Sequence, residues 1–137
     1  MSERVKKALE NHKHGYNCAQ AVICAYCDIW QLDPESAYRI SEGYGGGMGQ
    51  LGEVCGAVTA MFSAAGLQNS GGTAKPGTTK KDTYGLVKSM AEDFQAKHGT
   101  IYCRELLADK SREKQEICEG CVADACDILE KYLLDKE

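Results

Sequence analysis

A chain of 137 residues is long enough for one hydrophobic core and short for two, so a single helical, cysteine-rich domain over residues 1–137 is expected. Its 16 basic and 20 acidic residues leave a net charge of −4 with no basic block able to track phosphates, which argues against nucleic acid as a partner. No apolar run approaches membrane-spanning length, and the charged opening Met1-Ser-Glu-Arg-Val-Lys-Lys7 does not read as an export signal, so a soluble, cytoplasmic protein is expected.

Val5, Ala8, Leu9 and His12 recur at helical spacing, and Gly15 can end that first helix in a left-handed conformation. Asn17 reads as the N-cap of a second helix with Ala19, Val22, Ile23 and Tyr26 on one face. Asp33-Pro34 signals a third, running to about Gly43 and burying Ala37 and Ile40. Residues 43–52 hold too many glycines for a helix or strand interior and are predicted to form a loop. From Glu53 a central helix carries Val54, Ala57, Val58, Met61, Phe62 and Ala65 along one stripe, with Gly66 as its stop. Its Gly56, Ala60 and Ala64 leave a face without bulk, suited either to close core packing or to a homodimer contact.

Residues 68–80 are a polar surface connection. Thr83, Leu86, Val87, Met90 and Phe94 define a fifth helix ending near Gly99, and a helical turn comes next at 102–107. Val122, Ala125, Ile128, Leu129, Tyr132 and Leu133 make a C-terminal amphipathic helix. No segment alternates as a strand would, so the class is all-α: a compact bundle of about five to seven helices with a glycine-rich loop before the central one.

Eight cysteines are more than packing requires, and a reducing compartment removes cross-linking as their purpose, which leaves metal or redox chemistry for some of them. Cys18 follows the Asn17 cap, Cys55 follows the glycine loop, Cys103 opens the short turn and Cys121 follows Gly120, so all four are expected near helix beginnings. There, unpaired amides and a partial positive charge favour thiolate and lower the thiol pKa from about 8.5. Cys118 and Cys121 stand in a Cys-x-x-Cys spacing that suits a dithiol or two ligands of one metal. Cys24, Cys27 and Cys126 read as core packing.

Asp28 and Val122 occupy the positions where covalent haem attachment needs histidine, so no c-type haem is expected. His12, His14 and His98 read as solvated or capping residues rather than ligands. The loop glycines Gly46, Gly47, Gly49 and Gly52 suit either close chain packing or a cover over a sulfur site that lets a substrate or cofactor approach the backbone. The missing Lys-Ser/Thr pair and the missing strand before it argue against a nucleotide loop.

The segments Gly15-Tyr-Asn-Cys-Ala-Gln-Ala-Val22, Gly45-Gly-Gly-Met-Gly-Gln-Leu-Gly-Glu-Val-Cys-Gly-Ala57, Cys103-Arg-Glu-Leu106 and Cys121-Val-Ala-Asp-Ala125 together resemble the C_GCAxxG_C_C family of redox-active proteins. The resemblance implies a helical domain of about this size whose characteristic cysteines are Cys18, Cys55, Cys103 and Cys121. Two departures stand out: Ala60 replaces the last glycine of the family's pattern, and Cys118 is an additional cysteine. The split-Soret cytochrome is similar to part of this family, but without the haem motif its cofactor is not carried over.

Three functions fit. One is a thiol–disulfide oxidoreductase in which Cys55 pairs with Cys103 or Cys121, with Cys18 nearby and Glu53 shuttling a proton, acting on a protein redox partner or a small thiol or disulfide. Another is a metal or iron–sulfur protein with Cys18, Cys55, Cys103 and Cys121 as ligands and Cys118 as an added one. The third is a structural zinc site in an interaction module.

Overall fold

Residues 1–134 are described in a computed structural model, and every regular element among them is helical. In chain order the α-helices are α1 (Glu3–Lys13), α2 (Cys18–Tyr26), α3 (Pro34–Ser41), the kinked turn α4 (Gly45–Met48), whose Gly46 and Gly47 are themselves not helical, α5 (Gly56–Asn69), α6 (Lys80–His98), the short α7 (Cys103–Leu106) and α8 (Lys114–Leu129), with 3-10 turns at Cys27–Trp30, Glu42–Tyr44 and Gly72–Ala74. A π turn, Glu130–Leu134, prolongs α8. The all-α class expected from the sequence is the one observed.

Local signals start and stop these helices. Ser2 caps α1 by accepting the Val5 amide at 3.1 Å. Asn17 and Gln20 close a reciprocal capping box on α2: the Gln20 amide donates to Asn17 Oδ1 (2.8 Å) and the Asn17 amide to Gln20 Oε1 (3.0 Å). Asp33 accepts the Ser36 amide at 2.9 Å with Pro34 in the first turn of α3. Gly99 ends α6 at φ 82°, its amide donating to the Gln95 carbonyl at 2.7 Å.

The core is organised around α5, which packs on α2, α6 and α8. Gly56, Ala57, Val58, Ala60, Met61, Ala64 and Ala65 are all buried, so the helix is covered on more than one side and has no single apolar stripe. Around it Ile23, Tyr26, Met90, Phe94, Val122 and Leu129 fill the interior. The buried Tyr26 hydroxyl donates to Glu130 Oε2 (2.6 Å), which also accepts from Ser2 Oγ (2.7 Å), tying α2 and the start of α1 to the end of α8. No helix among the described residues is long and apolar enough to cross a membrane.

Four details differ from the sequence reading, the first being that the central helix starts at Gly56 rather than Glu53. Ile40 is 68% exposed, because α3 turns only Ala37 and Ser41, four residues apart, toward α2. Gly66 does not stop α5, which continues to Asn69 with Gly66 outside the left-handed region and open space where a Cβ would stand. Gly66→Ala is therefore expected to raise stability by about 0.5–1 kcal/mol, through relief of glycine's helix-interior penalty, as measured by urea unfolding. Finally, α8 starts at Lys114, about two turns before Val122. Gly120 fits inside it, since a Cβ there would meet nothing closer than Arg112 Nη2 at 4.0 Å.

Candidate functional site

The glycine-rich segment coils through a run of left-handed conformations: Gly46 (φ 67°), Gly47 (73°), Met48 (70°), Gly49 (63°), Gln50 (68°) and Gly52 (74°). Glycine is needed most at Gly47, where a Cβ would lie 2.6 Å from Cys103 Cβ and 2.7 Å from the Glu53 carbonyl oxygen. A backbone bond from Glu53 N to Gly47 O (2.9 Å) ties the segment to the lead-in of α5, and two more join the lead-ins of α5 and α7: Cys103 N to Glu53 O (2.7 Å) and Cys55 N to Ile101 O (2.8 Å). The last two flank an isolated antiparallel bridge between Val54 and Tyr102. This ladder brings Cys55 and Cys103 together although they lie 48 positions apart in the chain.

A cavity of about 700 Å³ opens beside the ladder. Cys18 reaches it from the first residue of α2, Cys55 from the N-cap of α5, Cys103 from the first residue of α7, and Cys118 and Cys121 from successive turns of α8. His12 enters from α1, and Gly46, Gly47, Gly49 and Gly52 form part of the wall. Five sulfurs and one imidazole thus share one opening, with Arg104 and Lys114 also on its lining.

The sulfurs are electrostatically unequal. Cys55, 5% exposed, is held below the ordinary thiol range, first by the hydrogen bond from the Cys121 thiol and then by the amides of Ala57 and Val58. No standard side-chain capping bond closes at Cys55, so these amides act mainly as dipoles aimed at the sulfur. Cys121 is pushed up, first by its bond to Cys55 and then by burial. A second couple repeats the pattern: Cys118 is lowered to about 5 by hydrogen bonds from Cys18 and His12, while Cys18 is raised by its bond to Cys118 and by burial. Cys103 is raised by burial and by the neighbouring charges of Cys55 and Cys118. Within each couple the two thiols are shifted in opposite directions, because two full charges side by side in a half-buried cavity repel each other.

This inequality should be visible to a thiol reagent. Cys118 remains thiolate down to about pH 5, whereas burial raises the half-exposed Cys24 to about 11 and keeps it protonated throughout the neutral range. At pH 6, iodoacetamide is expected to modify Cys118 well before Cys24 in reduced, metal-free protein, as read by mass-spectrometric peptide mapping.

Of the residues singled out in the sequence, Cys18, Cys55, Cys103, Cys118 and Cys121 come together, along with Gly46, Gly47, Gly49 and Gly52. Glu53 does not join them: its carboxylate pairs with Arg104 Nη1 at 3.3 Å, and it is absent from the cavity lining. The expectation that all four family-type cysteines open helices holds for Cys18, Cys55 and Cys103 but not for Cys121, which lies mid-helix because α8 begins before Gly120 rather than after it. Cys27 and Cys126 are buried in the core and Cys24 packs against it, all three away from the cavity.

His12 is the residue that sequence reasoning missed. Its place four residues after Ala8 and seven after Val5 puts it on the buried face of α1, which was the available signal. Nε2 lies 3.6 Å from Cys18 Sγ, and the Gln115 carboxamide nitrogen donates to Nδ1 at 3.1 Å. The other histidines are elsewhere: His98 stacks on Phe94 and lies 2.8 Å from Asp124 Oδ2, and the exposed His14 contacts the Glu10 carbonyl.

No curated protein and no solved structure matches the chain. One family model does, described as "Putative redox-active protein (C_GCAxxG_C_C)", over residues 16–132. That span takes in every sulfur of the cavity and leaves out its one imidazole, His12. The chain belongs to the C_GCAxxG_C_C family.

Proposed function

We propose that this protein performs thiol–disulfide exchange through Cys55 and Cys121, accepting two electrons from or returning them to a protein partner or a small thiol. In the accepting direction the partner is a dithiol and the protein starts as the Cys55–Cys121 disulfide. A partner thiolate attacks one sulfur, a mixed disulfide forms, and the second partner thiol displaces it, leaving the protein dithiol and the partner disulfide. In the reverse direction Cys55 thiolate attacks the partner disulfide, and Cys121 then closes onto Cys55, its proton passing to the departing partner thiolate.

The observation that carries this reading is that Cys55 and Cys121 line one open cavity, Cys55 at a helix N-terminus with its thiol shifted down and Cys121 mid-helix with its thiol shifted up. The attacking and resolving roles are therefore assigned by their electrostatic surroundings. Cys103 stands next to Cys55 as the competing resolving thiol.

Equilibration of the anaerobic protein in glutathione redox buffers, followed by non-reducing peptide mapping, tests the assignment. One Cys55–Cys121 disulfide that appears and disappears reversibly supports it. No intramolecular disulfide at any glutathione ratio would sink it, and a brown, iron-loaded protein would replace it with cluster-based electron transfer.

A further inference from the structure

His12, Cys18 and Cys118 form a group apart from the Cys55–Cys121 couple. Their ligand atoms all lie within 4.8 Å of one another, and each side chain is half-buried. In a tetrahedral centre with metal–sulfur bonds of about 2.3 Å and metal–nitrogen bonds of about 2.1 Å, the edge joining a sulfur to a nitrogen spans about 3.6 Å. The observed separation of His12 Nε2 and Cys18 Sγ is 3.6 Å. The three donors come from α1, the first turn of α2 and α8, which pack directly on one another, so the spacing is set by helix packing rather than by a mobile loop.

We propose that His12, Cys18 and Cys118 bind one thiophilic divalent cation of the zinc type, with its fourth position open to the cavity. Two sulfurs and an imidazole are the donor chemistry such an ion takes, and a site with three protein ligands leaves one position for water or an incoming ligand. The proposal is independent of the dithiol reading, since it uses neither Cys55 nor Cys121. It also draws on two residues outside the family pattern: His12 lies outside the family match, and Cys118 is not one of the four family-type cysteines. Binding at Nε2 places the imidazole hydrogen on Nδ1, where Gln115, now donating at 3.1 Å, accepts it by turning its carboxamide over.

The test is titration of Zn²⁺ into the full chain, reduced with a phosphine under argon and competed against a chromophoric chelator. One tight equivalent is expected. Loss of an outer-shell partner alone weakens metal sites by about 10–100-fold, so His12→Ala and Cys118→Ser are each expected to weaken binding by about 100-fold or more. The double variant Cys55→Ser/Cys121→Ser is expected to keep the equivalent. Unchanged affinity in His12→Ala, or loss of the equivalent in the double variant, would overturn the site.

X-ray absorption on the zinc-loaded unaltered chain covers the case in which a variant fails to fold: two sulfurs with one imidazole are expected, and four sulfurs would refute the assignment. A protein that forms the Cys55–Cys121 disulfide yet takes up no zinc refutes this site alone. One that binds zinc through His12 but never forms the disulfide refutes only the dithiol reading.

Discussion

Cys55→Ser is expected to abolish the reversible two-electron couple completely, whereas Cys24→Ser leaves it intact. A serine hydroxyl cannot form the disulfide, and Cys24 lies outside the cavity. Cys55 should also react faster than an ordinary thiol. A thiol of pKa about 8.5 is only about 3% thiolate at pH 7, so a depressed pKa increases the reactive fraction by up to about 30-fold. Weaker intrinsic nucleophilicity of the more acidic thiol reduces that gain to about tenfold or less. Cys55 has the donors for this: the Cys121 thiol first, then the amides of Ala57 and Val58. Thiol counts after glutathione equilibration, with circular dichroism to verify folding, check both variants. A disulfide that persists without Cys55, or vanishes without Cys24, would mean that the cavity cysteines have been wrongly divided from the packing ones.

Gly47→Ala is the substitution expected to damage the fold most for its size. Forcing a Cβ into a left-handed conformation costs roughly 1–2 kcal/mol, and overpacking adds about 1–3 kcal/mol, for a total of about 2–5 kcal/mol. Gly47 sits at φ 73°, and its new methyl would meet Cys103 Cβ at 2.6 Å and the Glu53 carbonyl at 2.7 Å, two neighbours that the backbone ladder holds in place. Relief has to come from moving Cys103, so the cavity should lose that sulfur as stability falls. Gly43→Ala is the control: nothing lies within 4 Å of its added methyl and its φ is not left-handed, so the change should stay within about 0.5 kcal/mol. Urea unfolding measures the first effect, and accelerated alkylation of Cys103 in the folded variant reports the second.

How far the site can be read from the chain differs residue by residue. Cys18 and Cys103 open helices, and Cys55 caps one, for reasons visible within a few positions of each. For Cys18 the signal is the Asn17–Gln20 capping box, and for Cys55 it is a glycine loop that cannot stay helical. Cys121 is the exception: Gly120 reads as a breaker, yet in α8 that glycine lacks only a side chain and its helical hydrogen bonds survive. Glu53, adjacent to the loop, has the chemistry of a proton carrier, but Arg104 arrives from the far side of the ladder and claims its carboxylate.

The all-α class and most helix starts were determined by the sequence alone, because caps, helical periodicity and glycine's freedom act over a single turn and need no distant partner. Which sulfurs meet was decided only in the folded molecule. Cys18 and Cys118 lie 100 positions apart, and His12 finds Gln115 across 103, so no local pattern can pair them. They come together because burying the apolar faces of α1, α2 and α8 against one another, around α5, leaves those side chains at one shared edge.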